Sequence, residues 1–340
     1  MLEEKIKIYV SREIEDIITK DAESFEFFKR DGVTVNKNAL LTRLIVNYSD
    51  LFHQKQEEMI DYMCEKLSAE GLKKGTYLLR LCAEMSERIQ GMSSALAGGK
   101  FDRPLSIKPT KASAPTISYI EQVCLYGASL SEHFRNMLAS YASLPQDERE
   151  KIIFKAEYEA IESAIEKRKK IFLTMSNKKS PSVTVSPYKI TSSREELHVY
   201  LLAVSANKGA SPIRLSRITS VTVLNEQAEF TEQDTSILER MLKYGPQFIY
   251  RKDEPQAIVE LTERGVEKFR KLYVHRPIPD KVEGNRYYFS CSHFQLLNYF
   301  VRFGEDAYVI EPKRLRGDIL HFYKRGVKYI YSRQDGEAPR

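Results

Sequence analysis

The chain has 340 residues, 42 % of them hydrophobic and 29 % charged, which excludes a disordered polymer and exceeds the length of one ordinary domain. Its formal net charge of +6 is compatible with a polyanionic partner without requiring one. No apolar run approaches the roughly 18 residues a membrane span needs. The start, Met1-Leu2-Glu3-Glu4-Lys5, lacks a signal-peptide apolar core, so the expected location is the cytoplasm.

The first predicted element is a strand. Lys5-Ile6-Lys7-Ile8-Tyr9-Val10 alternates, with Ile6, Ile8 and Val10 on one face and Lys5, Lys7 and Tyr9 on the other. Ser11 is a helix cap, and Ile14, Ile17, Ile18 and Ala22 recur at helical spacing behind it. A second helix opens near Asn36 and carries Leu40, Leu41, Leu44, Ile45 and Tyr48. Residues 54–97 predict two more helices, separated at Glu70-Gly71, as a helical insertion. A second unit follows: the short strand Leu105-Ser106-Ile107-Lys108, a helix with Ile117, Ile120, Val123 and Cys124, and a helix from Leu130 to Tyr141. Asn47-Tyr48-Ser49-Asp50-Leu51 aligns with Ser140-Tyr141-Ala142-Ser143-Leu144, and Ile8-Tyr9-Val10-Ser11 with Ile107-Lys108-Pro109-Thr110. The strand-helix-helix unit therefore repeats.

That unit resembles the ribbon-helix-helix family. The resemblance implies that the two strands pair into a ribbon within one chain and that outward side chains, here Lys5, Lys7, Tyr9, Ser106 and Lys108, read nucleic acid. A dimerisation or scaffold module is the other reading, and Pro109 blunts the second strand.

Pro145 to Lys170 predicts helix, ending in Lys167-Arg168-Lys169-Lys170. From Ile171 the period becomes strand-like: Ile171–Met175, the basic turn Asn177-Lys178-Lys179-Ser180, Ser182–Ile190 bent at Pro187, and Glu196–Val204. Asn207-Lys208-Gly209 is a turn, and Ile213–Ile218 and Thr219–Val223 are further strands. This spacing predicts a small SH3- or Sm-like β-barrel. Pro187-Tyr188, Val199-Tyr200-Leu201 and Arg214-Leu215-Ser216-Arg217-Ile218 resemble the WYL-domain family, whose pattern is Pro-Tyr, then Trp-Tyr-Leu, then Arg-x-x-Arg-Ile. Val199 departs from it, and the chain has no Trp.

The resemblance implies a nucleic-acid site at Tyr188, Lys189, Arg194, His198, Tyr200, Arg214 and Arg217. Guanidinium forks suit phosphate and tyrosines stack on bases. The competing readings are a local salt bridge for Arg214 and a core aromatic for Tyr200. Arg214 and Arg217 stand an odd number of positions apart, which puts them on opposite faces of a regular strand.

The last third predicts a strand at Ile258–Leu261, a helix from Thr262 to Leu272, a strand at Arg286–Cys291, a helix capped by Ser292, a strand at Ala307–Ile310 and a basic helix from Lys313 to about Tyr331. Gln334 onward reads as disordered. The expected fold class is α+β in three parts: a tandem ribbon-helix-helix region over 1–150 with its insertion at about 54–97, a barrel with a leading helix over 151–225, and an α/β extension over 226–333, which the resemblance implies as a dimerisation or ligand-sensing module.

No cofactor, metal or catalytic group is expected. Cys64, Cys82, Cys124 and Cys291 form no C-x-x-C pair and read as buried thiols. Arg316 with His321, and Arg286 with His293, fit loose Arg–His spacings of HEPN ribonucleases, but two residues at such spacing recur by chance. The whole combination is similar to the WYL accessory proteins encoded beside the RNA-guided RNA nuclease of type VI-D CRISPR systems. That similarity implies a homodimer that binds single-stranded RNA and stimulates the nuclease. A duplex-DNA regulator and a sensor with a nucleotide-like effector in the barrel remain open.

Overall fold

The computed structural model describes residues 5–94, 100–125, 127–176, 182–193, 195–248, 250 and 254–334. The tail expected to be disordered lies, after Gln334, outside the described residues. Among those described, the chain is a mixture of helix and sheet that packs as two compact units. One is Met1–Glu159 with Leu215–Arg217, and the other is Ala160–Arg214 with Ile218–Arg340.

In the first unit, β1 (Ile6–Val10) sends Ile8 and Val10 fully into the core and leaves Lys5, Lys7 and Tyr9 exposed, as its alternation predicts. Ser11 caps α1 (Arg12–Ser24), its Oγ accepting from the Ile14 N–H. Asn36 caps α2 (Lys37–Ala69), a continuous helix of 33 residues. The second helix of the repeat and the first helix of the expected insertion are thus one element. α3 (Thr76–Ser94) returns beside it, joined through a small core of Ile60, Leu78, Cys82 and Ala83. β2 (Arg103–Ile107) pairs antiparallel with β1, Lys7 opposite Ser106 and Ile8 opposite Leu105. α4 (Ala114–Tyr119) runs into one π turn at Ile120–Cys124, and Ser129 caps α5 (Leu130–Ala142). α6 (Gln146–Ile153) and α7 (Lys155–Glu166) replace the single helix expected there, with a break at Phe154.

The two strand-helix-helix units are related in three dimensions. Tyr48 and Tyr141, aligned in the repeat, meet edge to face at 6.1 Å. Asn38, the second residue of α2, grips the Lys108 backbone through both its amide groups, at 2.8 and 3.2 Å. Ser131, the second residue of α5, donates to the Lys7 carbonyl at 3.3 Å. Each unit's second long helix thereby fastens the other unit's strand. Asp21 of α1 is wholly buried and takes two hydrogen bonds from Arg149 (2.7 and 2.8 Å) and one from Tyr141 (2.8 Å). Desolvation and the Asp21 carboxylate push the Tyr141 phenol well above its ordinary pKa.

In the second unit, β3 (Lys169–Met175), β4 (Ser182–Ser192), β5 (Val199–Ser205), β6 (Gly209–Arg214) and β7 (Ile218–Gln227) form a sheet in the order β6-β5-β4-β3-β7. Among the described residues no ladder joins β6 to β7, so the expected closed barrel is replaced by an open one. Yet only the 3₁₀ turn Leu215–Arg217 connects these two edge strands. In a flat sheet they would lie about 19 Å apart, four strand spacings, further than three residues reach. The sheet must curl strongly, and β4 supplies the bend: its register slips between Pro187 and Lys189, leaving Tyr188 as the extra residue of a bulge.

α8 (Glu232–Tyr244) follows, opened by a complete capping box between Thr231 and Asp234. β8 (Ala257–Leu261), α9 (Glu263–Lys271), β9 (Lys281–Glu283), β10 (Arg286–Phe289), α10 (His293–Phe300), β11 (Ala307–Glu311) and α11 (Lys313–Gln334) complete the chain. Their strands form an antiparallel sheet in the order β11-β8-β10-β9, in which β9 is the one strand absent from the sequence reading. Leu202 of β5 shares a core with Leu238 and Met241 of α8 and with Leu296, Tyr299 and Phe300 of α10. The curled sheet and the α/β extension, expected as separate domains, therefore share one core. Among the described residues no helix is long and apolar enough to cross a membrane.

Candidate nucleic-acid interface

The register of the curled sheet assembles part of the expected site. Tyr200 of β5 stands directly opposite Arg214 of β6, and His198 lies two residues before Tyr200. Arg214 Nη2 is 2.7 Å from His198 Nε2. The same Nη2 is also 3.0 Å from His198 Nδ1, so the guanidinium lies against both ring nitrogens. The Tyr200 hydroxyl donates to Glu196 Oε2 at 2.7 Å, and its ring is 8 % exposed. That places Tyr200 as a core aromatic with a bonded hydroxyl, and a base has little ring face to stack on. Lys189 and Lys208 are exposed, Lys189 on β4 opposite Leu202 and Lys208 in the turn at the far end of the β5–β6 hairpin.

Two expected members stand elsewhere. Tyr188, projected by the bulge, donates its hydroxyl to Glu239 of α8 and meets Phe230 edge to face at 5.4 Å. The carboxylate bond and partial desolvation raise its pKa. Arg217 closes the 3₁₀ turn, belongs to the first unit and pairs with Glu26 at 2.9 Å. The two arginines of the motif thus diverge, by a break in the strand and not by alternation along one. Arg194, with Lys178 and Lys179, lies outside the described residues.

The β1–β2 ribbon presents a second basic face. Lys5, Lys7, Tyr9, Ser106 and Lys108 are all exposed, and the inward row of Ile8, Leu105 and Ile107 is buried. The Lys108 backbone is held by Asn38, so its side chain projects from a fixed point.

The Arg–His pairs do not converge as a catalytic site. Five positions on α11 turn Arg316 and His321 about 140° apart. Arg316 donates to Tyr308, while Arg286 pairs with Glu260 and His293 with Asp318. Among the described residues no group of acids, histidines and cysteines has the arrangement of a metal site. Cys82, Cys124 and Cys291 are buried and Cys64 partly so; desolvation raises the thiols of Cys64 and Cys124 to about 11.

What the sequence reading underweighted is α11. From Lys324 to Tyr331 the helix is exposed around its circumference, with Tyr329, Ile330 and Tyr331 each at least half exposed. Its bases were visible in the sequence, but their separation from the body depends on where the packed core ends.

A solved structure described as a CRISPR Cas-related protein superposes on 97 % of this chain and 95 % of its own, with a TM-score of 0.63 and 19 % identity. The chain shares that protein's fold. Proteasome accessory factor B/C of Arthrobacter aurescens matches 65 % of this chain and 38 % of its own at 15 % identity, and its TM-score of 0.25 is too low to bear on the fold. No protein-family model matches the chain. No curated protein matches it either.

Proposed function

We propose that this protein is a non-catalytic, WYL-type accessory factor of a CRISPR system that binds single-stranded RNA and stimulates an RNA-guided RNA nuclease. The observation that carries the reading is the chain-long fold shared with a CRISPR Cas-related protein. The Pro-Tyr bulge and the apposition of Tyr200 and Arg214 support the WYL assignment, and the paired β1–β2 strands with their duplicated helices support a ribbon-helix-helix region. Arg214 is the residue expected to meet phosphate, because it is the motif guanidinium that the sheet register holds beside Tyr200 and against the His198 imidazole.

The test is titration of labelled oligouridylate with the full chain. Arg214→Ala is expected to weaken binding roughly tenfold or more, the scale of a charge-assisted hydrogen bond, while Arg217→Ala leaves it unchanged. Equal binding by wild type and Arg214→Ala would remove Arg214 from the site. A duplex-DNA regulator is the second reading, favoured by the exposed row Lys5, Lys7, Tyr9 and Lys108. It predicts a footprint on duplex DNA that Lys7→Ala weakens and Arg214→Ala does not.

A further inference from the structure

Residues 313–334 hold seven lysines and arginines and one aspartate, a formal charge of +6. The whole chain also carries +6, so all residues outside this one helix balance to zero. The single acid, Asp318, is engaged by His293 at 2.8 Å. Among the described residues, no carboxylate lies within ion-pairing distance of Lys324, Arg325, Lys328 or Arg333.

The second half of the helix leaves the body. Leu315 is fully buried and Tyr323 half-buried, but from Lys324 to Tyr331 every residue is exposed. Lys324, Arg325, Lys328, Tyr329 and Tyr331 share this stretch with the exposed aliphatic Val327 and Ile330. Arg333 donates to the Tyr329 hydroxyl through Nε and Nη2 at 3.3 Å, with its guanidinium carbon 5.6 Å from the ring centroid, a guanidinium–aromatic pair facing solvent.

We infer that the projecting half of α11 is a contact for single-stranded nucleic acid, separate from the Arg214 cluster. Its bases neutralise phosphates, and Phe322, Tyr329 and Tyr331 offer ring faces to unpaired bases. This inference rests on the nucleic-acid reading above and locates a second contact for the same ligand. Charge decides the kind of occupant: a second copy of a helix carrying +6 would be repelled, whereas a polyanion is attracted. Distribution decides between polyanions. A helix lying on a lipid surface keeps its bases on one face and its apolar residues on the other. Here Lys324, Lys328, Arg325 and Arg333 cover about half the circumference at roughly 100° per residue, and Leu320, Val327 and Ile330 lie on the other half. But the rings of Phe322, Tyr329 and Tyr331 stand within or beside the basic arc, so rings and bases share one face, as stacking beside a phosphate chain requires.

The experiment compares wild type with a variant carrying Lys324→Gln, Arg325→Gln, Lys328→Gln and Arg333→Gln. Glutamine keeps helix propensity close to that of the bases it replaces, and circular dichroism checks the fold. Each protein is titrated with oligouridylate across a salt series. The variant is expected to bind at least about tenfold more weakly, and its slope of log affinity against log salt to fall by roughly 0.7 for each phosphate that is no longer neutralised. Tyr329→Leu with Tyr331→Leu should weaken binding with the slope unchanged, as removal of stacking would. Unchanged affinity and slope in the quadruple variant, with wild type binding RNA, would overturn the α11 contact alone. Wild type that binds no oligonucleotide overturns the general reading with it. Binding to phosphatidylserine vesicles, abolished in the quadruple variant while oligouridylate binding persists, reassigns the helix to a membrane surface and overturns the inference.

Discussion

Arg149 meets Asp21 with two parallel hydrogen bonds, and both side chains are nearly excluded from solvent, at 9 % and 0 % exposure. Removing one member of such a pair leaves a buried charge without its counter-ion. Arg149→Ala is therefore expected to cost about 3–5 kcal/mol, measurable by urea unfolding. A cost under about 1 kcal/mol would mean that water reaches Asp21. Asp280 presents the opposite balance. Burial alone would raise its carboxyl, but hydrogen bonds from Tyr244, Lys243 and Ser290 outweigh that and hold it at about 2 instead of 3.8. A carboxyl with a lowered folded-state pKa contributes its full stability above pH 3.8 and loses it as the pH falls toward 2. Asp280→Asn should flatten the fall in stability across that window and lower stability at neutral pH; an unchanged acid limb would contradict the network. None of these partners was legible in sequence, because 128 positions separate Asp21 from Arg149 and 36 separate Tyr244 from Asp280. The same blindness explains Arg217. Its type and motif position suggested a ligand-facing cation, and only the fold brings Glu26 to it across 191 positions.

Elements were more legible than their joints. Hydrophobic alternation located β1, short apolar runs located β5 and β8, and the caps Ser11, Ser129, Thr262 and Ser292 all accept backbone bonds where the sequence has a serine or threonine before an apolar period. The curl of the first sheet was not legible, since it depends on which strand β7 pairs with, a long-range choice that alternation leaves free. Nor was the continuity of α2 past residue 54: a helix that leaves one core and enters another changes its apolar phase without breaking. The π turn at Ile120–Cys124 is likewise an insertion into a helical period that simple spacing passes over. Close approach between elements is similarly invisible until the fold is known. Gly265, at the third position of α9, donates to the Thr262 cap, and a Cβ there would stand 2.1 Å from the Asp306 carbonyl oxygen. Asp306 is itself fixed by Thr262 and Lys268, so the backbone has little room to retreat. Gly265→Ala should destabilise by about 3 kcal/mol despite alanine's better helix propensity, as overpacking does. A stabilised Gly265→Ala protein would show that the α9–β11 approach is looser than this geometry.

At the scale of the whole chain, two cores imply two sets of stability determinants. The first surrounds Tyr48, Tyr141, Phe52 and Phe134, and the second surrounds Leu202, Met241, Phe289 and Phe300. Calorimetry of the full chain should therefore depart from a single two-state transition. Arg149→Ala is expected to lower one component, by roughly 10 °C for a unit of this size, and to leave the other in place. Gly265→Ala should do the reverse. The complementary pattern matters more than either shift, because a general loss of stability would move both components together. One transition lowered equally by both substitutions would show that the two cores melt as one, and the curled sheet and the paired strands would then be a single folding unit whose ligand contacts cannot be weakened independently.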